Sequence, residues 1–274
     1  MSYEVVRHPI DGAELACVDT GPTPGGKTVL LVHGFPLTHA VWNEQIAALG
    51  KQHRVIAPDL RGYGESTLGG WPQENDASDA RLARYAEDLA GLLDALGVER
   101  VVYCGFSMGG YIAWPFLDAH ADQLEALVLA DTRVIADDDA ARATRLKMAA
   151  GVAEWGSARV AAIMRPNLFG PNAPDSVVDA TVQQIAAVEP RAIAASQHAM
   201  AARPDSTGRL ASLALPTLVL VGEEDRISTT EEMRGFAAEI PGAEFVVIED
   251  SGHLTPVEQA ERFNAALLAF LERL

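Results

Sequence analysis

Ser107 stands in the string Gly105-Phe106-Ser107-Met108-Gly109-Gly110, between an apolar run, VVYCGF, and a helical stretch, YIAWPFL. A serine flanked by glycines at a strand-to-helix junction sits on a tight, strained turn that lifts its hydroxyl over the sheet edge. At neutral pH that hydroxyl is a poor nucleophile. It needs a neutral imidazole to take its proton and a carboxylate behind the ring to fix the tautomer. Of the seven histidines, His253, in Asp250-Ser251-Gly252-His253-Leu254, follows the last apolar run and precedes the last helical pattern. His33 ends another apolar run before Gly34 and reads as an orienting, hydrogen-bonded loop residue. His8, His39, His53, His120 and His198 fall in surface-like, strand-flanking or helical contexts. The carboxylate must come from a further strand end. Asp225, just past the run TLVLVG, is preferred, with Asp131 at the end of ALVLAD as its competitor. Such a set predicts acyl transfer: attack on a carbonyl, an acyl-enzyme, and deacylation by water with His253 again as base. It calls for no metal and no cofactor.

The elements that must hold these groups are legible from periodicity. Short runs rich in Val, Leu and Ile at 28–33, 54–59, 101–106, 126–131, 217–222 and 244–250 are apolar on both faces, as parallel strands covered by helices are. YEVVRH and ELACVDT alternate and are joined by Asp11-Gly12, which predicts an antiparallel hairpin at the sheet edge. The expectation is an α/β fold with an eight-stranded, mostly parallel sheet. Residues 78–96 carry Leu82, Tyr85, Leu89, Leu92 and Leu93 on one helical face and end at Gly97, and 256–273 repeat the pattern with Phe263, Leu267 and Phe270. From 133 to 213 no strand is evident; helical pieces are punctuated at Gly151, Gly156, Pro166, Gly170, Pro171, Pro190 and Pro204. This stretch leaves one parallel strand and returns before the next, so it belongs over the carboxyl edge of the sheet, where ligands bind in open α/β folds. Residues 1–132 and 214–274 are therefore expected to form the core, and 133–213 a helical cap, or lid, after the sixth strand.

Composition narrows the partners. The 274 residues are 49% hydrophobic, enough for a large core, and 38 acidic against 21 basic residues give a formal charge of −17. That charge argues against nucleic acid and against an anionic membrane face. The N-terminus has charges within its first seven residues and no long apolar stretch, no window has the roughly 18 apolar residues of a membrane span, and a soluble, cytoplasmic protein is expected. Cys17 and Cys104 both lie in apolar runs and suggest neither a disulfide framework nor a zinc site.

With these motifs in order, Ser107…Asp225…His253, the chain resembles the α/β-hydrolase family nearly end to end. His33-Gly34-Phe35-Pro36 is similar to its H-G-x-P loop, and Asp59-Leu60-Arg61-Gly62-Tyr63-Gly64-Glu65-Ser66 to its D-x-R-G-x-G-x-S turn, read here as structural. The resemblance implies an oxyanion hole made of the backbone N–H groups of Phe35 and Met108. The serine argues against the dehalogenase and epoxide-hydrolase relatives, which carry aspartate there. The three lysines are not placed as hydroxynitrile lyases require. The strings around Ser107 and LADTR (129–133) look like those of bacterial serine carboxylesterases and 3-oxoadipate enol-lactonases. They imply a small-molecule ester or lactone as substrate, with peracid formation at most a side activity. A carboxylate-bearing lactone would need a cation, for which Arg133, Arg145 and Arg165 are candidates; the overall acidity favours a neutral ester. Phe35, Met108, Trp155, Met164, Phe169, Met200, Ile227 and Leu254 are expected around an apolar pocket. From another functional class, a ligand receptor on the same fold would bind without turnover.

Overall fold

The computed structural model describes residues 3–71 and 81–274. Eight strands, β1 (Val5–Ile10), β2 (Ala13–Asp19), β3 (Thr28–Val32), β4 (Arg54–Pro58), β5 (Val101–Phe106), β6 (Leu124–Ala130), β7 (Thr217–Gly222) and β8 (Glu244–Ile248), form one sheet in the order β1-β2-β4-β3-β5-β6-β7-β8. β1 and β2 pair antiparallel with each other, as do β2 and β4, and the other neighbours are parallel. The β1–β2 turn has Asp11 and Gly12 both at positive φ, as a two-residue hairpin of the right twist requires. β5 and β7 are buried at every position, which is why both read as unbroken apolar runs.

Helices α1 (Asn43–Leu49), α2 (Leu82–Ala95), α3 (Met108–His120), α8 (Thr230–Glu239), α9 (Thr255–Glu258) and α10 (Ala260–Leu271) accompany the sheet. α2 buries Leu82, Tyr85, Leu89, Leu92 and Leu93, the expected face. It ends at Gly97 (φ 63°), with Val98 N–H bonding Leu93 C=O and Gly97 N–H bonding Asp94 C=O, the paired bonds that close a helix whose next residue is left-handed. The expected start of this helix at 78–80 lies outside the described residues. The helix expected over 256–273 is broken: Gln259 (φ −132°, ψ 53°) leaves the helical region and separates α9 from α10.

Between β6 and β7 lie four α-helices, α4 (Asp139–Trp155), α5 (Ser157–Leu168), α6 (Asp175–Ala186) and α7 (Pro190–Ala201), and a short 3-10 helix, Thr207–Ser212. α4 packs on α7 and α5 on α6. Asp138 starts α4 by accepting the Ala141 N–H. Gly156 separates α4 from α5 at φ 75°, whereas Gly151 lies inside the unbroken α4, where the Trp155 ring fills the space its Cβ would need. Pro166 is likewise carried inside α5. The insertion is pinned to the rest of the molecule by buried Ser196 of α7, whose hydroxyl meets Tyr63 Oη at 2.6 Å and Tyr85 Oη at 2.7 Å. Among the described residues no helix is long and apolar enough to cross a membrane.

Candidate active site

β5 runs into Ser107, whose backbone has φ 51° and ψ −112°, a conformation that non-glycine residues rarely hold. Two glycines make the turn possible. A Cβ on Gly105 would lie 2.5 Å from the Gly109 carbonyl oxygen, and one on Gly109 would lie 2.3 Å from that of Val32. α3 therefore starts against the ends of β3 and β5. Its first N–H groups, that of Met108 foremost, have no intrahelical acceptor, whereas those of Gly110 and Tyr111 bond Ser107 C=O.

The loop after β7 brings Asp225 and the loop after β8 brings His253 to this turn. His253 Nε2 lies 2.9 Å from Ser107 Oγ and Nδ1 lies 2.8 Å from Asp225 Oδ2. A ring nitrogen facing a carboxylate is the protonated one, so Nε2 is left as an acceptor for the serine hydroxyl. Asp225 is in turn fixed by the N–H groups of Ile227 and Ser228 and by the Ser228 hydroxyl at 2.6 Å. Burial alone would raise its pKa. His253, through the positive charge it carries when protonated and through its hydrogen bond, outweighs it together with the bonds from Ser228 and Ile227, and the carboxyl is held below the usual range. Ser107, His253 and Asp225 are all buried, with 8%, 3% and 5% of their surfaces exposed.

Asp131, the competitor, does not touch His253. Its Oδ1 accepts the Gly222 N–H at 2.8 Å, and its Oδ2 meets the Thr255 hydroxyl. Complete burial, and then the neighbouring Asp225 charge, push its pKa well above the ordinary carboxylate value. The two buried acids are thus pushed in opposite directions, Asp225 below and Asp131 above the ordinary carboxylate value.

His33 is buried and hydrogen-bonded, as expected of a loop residue at this place. Its Nδ1 donates to Gly34 C=O at 2.9 Å and its Nε2 accepts the Leu60 N–H at 2.9 Å, a pattern only the neutral ring can make. Burial lowers its pKa from 6.5 to about 4. The unfolded chain thus binds this proton first as pH falls. The stability the neutral ring contributes is complete above pH 6.5 and lost toward pH 4, about 3 kcal/mol in full. Urea unfolding at pH 7 and pH 4.5 is expected to show this loss, and His33→Gln to lose correspondingly less; equal losses in both proteins would remove His33 as the cause. The Phe35–Pro36 peptide that follows is cis. A Cβ on Gly34 would lie 2.9 Å from that of Ser107, so the loop abuts the serine. In the turn after β4, Asp59 accepts the N–H groups of His39 and Glu65, and Arg61 forks onto Asp88 of α2 with both contacts at 2.6 Å. These are structural bonds.

A cavity of about 300 Å³ opens on Ser107 and His253 and takes Phe35, Met164, Met200 and Ile227 into its walls. Three other expected lining residues are elsewhere. Trp155 ends α4 and packs over Gly151, the Phe169 backbone abuts Gly252, and Leu254 is wholly buried beneath the His253 loop. Met108 is buried, so only its N–H is relevant here. The walls also hold Tyr111, Asp137, Met148 and Gln197, which the sequence did not single out. Tyr111 was findable, lying one helical turn beyond Ser107; the others depend on how the inserted helices dock. Of the candidate cations, Arg133 and Arg145 line the cavity and Arg165 does not. Arg133 Nε meets both carboxylate oxygens of Glu232 at 2.8 and 3.0 Å, and Arg145 Nε meets Asp137 at 2.5 Å. Asp137 is also paired with Arg203 at 2.8 Å.

Residues 29–266 match the Alpha/beta hydrolase family. A thermophilic esterase from Thermogutta terrifontis is similar in structure, with 41% identity, a TM-score of 0.90, and 98% of each chain covered. The 3-oxoadipate enol-lactonase 1 of Acinetobacter baylyi is 27% identical over 263 residues, 95% of this chain and 94% of that one. The enol-lactonase from Burkholderia xenovorans LB400 has a TM-score of 0.85 at 25% identity, covering 97% of this chain and 100% of its own.

Proposed function

The chain belongs to the alpha/beta-hydrolase family, and on that premise we propose that it is a serine esterase that cleaves a small to medium carboxylic ester. The observation that carries this is the unbroken relay from Asp225 through His253 to the strained Ser107 at the mouth of an apolar cavity. Ser107 Oγ attacks the carbonyl carbon while His253 Nε2 takes its proton. Asp225 holds the ring and balances the imidazolium charge. The N–H groups of Phe35 and Met108 receive the oxyanion, a contribution of roughly 3 to 4 kcal/mol each to such transition states. His253 returns the proton to the departing alcohol, then activates the water that releases the acid. The inserted helices over 133–213 act as the lid that roofs the cavity. Steady hydrolysis of p-nitrophenyl butyrate, abolished in Ser107→Ala, is the expected result; binding without turnover would favour the receptor alternative.

A second reading has one specific support. Arg133 and Arg145 line the cavity, and two of the relatives are enol-lactonases, so a carboxylate-bearing lactone is the alternative substrate. The ester is preferred because each arginine already holds a carboxylate, Glu232 and Asp137 respectively, and an incoming anion would have to compete with both. The prediction is a kcat/KM at least tenfold higher for p-nitrophenyl butyrate than for the carboxylate-bearing p-nitrophenyl hemisuccinate. The reverse order would move the assignment to the lactone.

A further inference from the structure

Glu258 is the residue five positions after His253, half-buried, and used by no step described so far. Its carboxylate gathers backbone donors from two separate segments. Oε1 accepts the Leu254 N–H at 3.1 Å, Oε2 accepts the Gly170 N–H at 2.7 Å, and the Gly252 N–H is shared between them at 3.1 and 3.2 Å. The N–H lying between those of Gly252 and Leu254, that of His253 itself, donates to Leu168 C=O at 3.0 Å. All three successive amides around the base are therefore accepted either by Glu258 or by the end of α5. The two backbones touch: a Cβ on Gly252 would stand 2.3 Å from Gly170 N. Asn172 adds a side-chain bond to Asp250 at 2.7 Å.

We propose that Glu258 is a positioning residue whose carboxylate clamps the His253 loop to residues 168–172 of the insertion, so that base and lid hold one geometry. The break at Gln259 serves this arrangement, since the chain leaves the helix directly after the residue that turns back to the loop. An amide in its place could not do the same. One of its two polar atoms would be a donor facing donors, and either Gly170 or Leu254 would lose its acceptor. A buried N–H left without a partner is costly, so the segment concerned shifts. The clamp also makes a lid that swings away at 168–172 incompatible with a poised His253.

The clamp's effect on turnover rests on His253 being the base; the clamp itself does not. In Glu258→Gln, kcat for p-nitrophenyl butyrate is expected to fall at least tenfold with KM within twofold, because the cavity walls are untouched while the base is displaced. Hydrogen exchange of the unsubstituted protein supplies the second measurement. Amides at 168–172 and 252–254 are expected to exchange with the same protection, and to lose it together in Glu258→Gln. A kcat within twofold of the parent, or exchange at 168–172 more than tenfold faster than at 252–254 in the unsubstituted protein, overturns the proposal. Matched exchange in a protein that hydrolyses no ester would keep the clamp and defeat the esterase assignment.

Discussion

Ser107→Ala and His253→Ala are each expected to lower kcat toward p-nitrophenyl butyrate by on the order of 10⁶, and the double variant by no more than either alone. The reason is that neither group acts without the other. The hydroxyl lies 2.9 Å from Nε2, and a serine with no base nearby stays protonated and unreactive. The imidazole without the serine can at best activate water in a cavity shaped for a different attack. What survives in either variant is binding and the two N–H donors, neither of which a side-chain substitution removes. Burst titration with a slow-turnover ester checks the same point by another route: one equivalent of leaving group per chain from the parent protein, none from Ser107→Ala. A loss below tenfold in kcat for either single variant sinks the acyl-enzyme mechanism. Thermal unfolding of the variants guards against a trivial cause, and Ser107→Ala is expected to be at least as stable as the parent, because alanine relieves nothing but the hydroxyl's burial.

How far the sequence reached can be argued from particular residues. β5 over 101–106 and β7 over 217–222 were legible to the residue, because strands buried on both faces read as nearly unbroken apolar runs. Ser107 could be singled out for a related reason, since it follows β5 directly; His253 lies in a loop five residues past the end of β8, a strand only half-buried over most of its length, and was picked from its place between that strand and the last helical pattern. The helix over 256–273 was not, since apolar spacing carries no trace of the demand that Glu258 turn back and Gln259 break the register. Nor was the cavity wall. A 3.6-residue period shows that an inserted helix has an apolar face, but not which neighbour that face meets. Trp155 was expected in the pocket and instead fills the space left by Gly151, while Met148, on the same helix, reaches the cavity. The pairing of Arg145 with Asp137 was equally invisible, although it bears directly on which substrates the cavity accepts.

The choice between Asp225 and Asp131 depended on loop geometry for the same reason, and it yields the second large expected effect. Asp225→Asn is expected to cost about 10⁴ in kcat, since an amide can present its N–H2 to Nδ1 and so favour the wrong imidazole tautomer. Asp131→Asn is expected to cost less than tenfold. Both of its bonds can be kept, since an asparagine offers the same Oδ1 to the Gly222 N–H while its amide N–H2 can donate to the Thr255 hydroxyl oxygen. The contrast is sharper than either number, because the two acids stand at the ends of adjacent strands and share a buried environment. Only one is within reach of the ring, at 2.8 Å. Asp131 nonetheless joins the end of β7 to the helix that follows His253, so Asp131→Leu, which removes both bonds, is expected to lower thermal stability by several degrees. Parallel measurement of kcat and unfolding temperature across the three variants separates the roles. A 10⁴ loss in Asp131→Asn with little change in Asp225→Asn would exchange them and place the acid directly after β6.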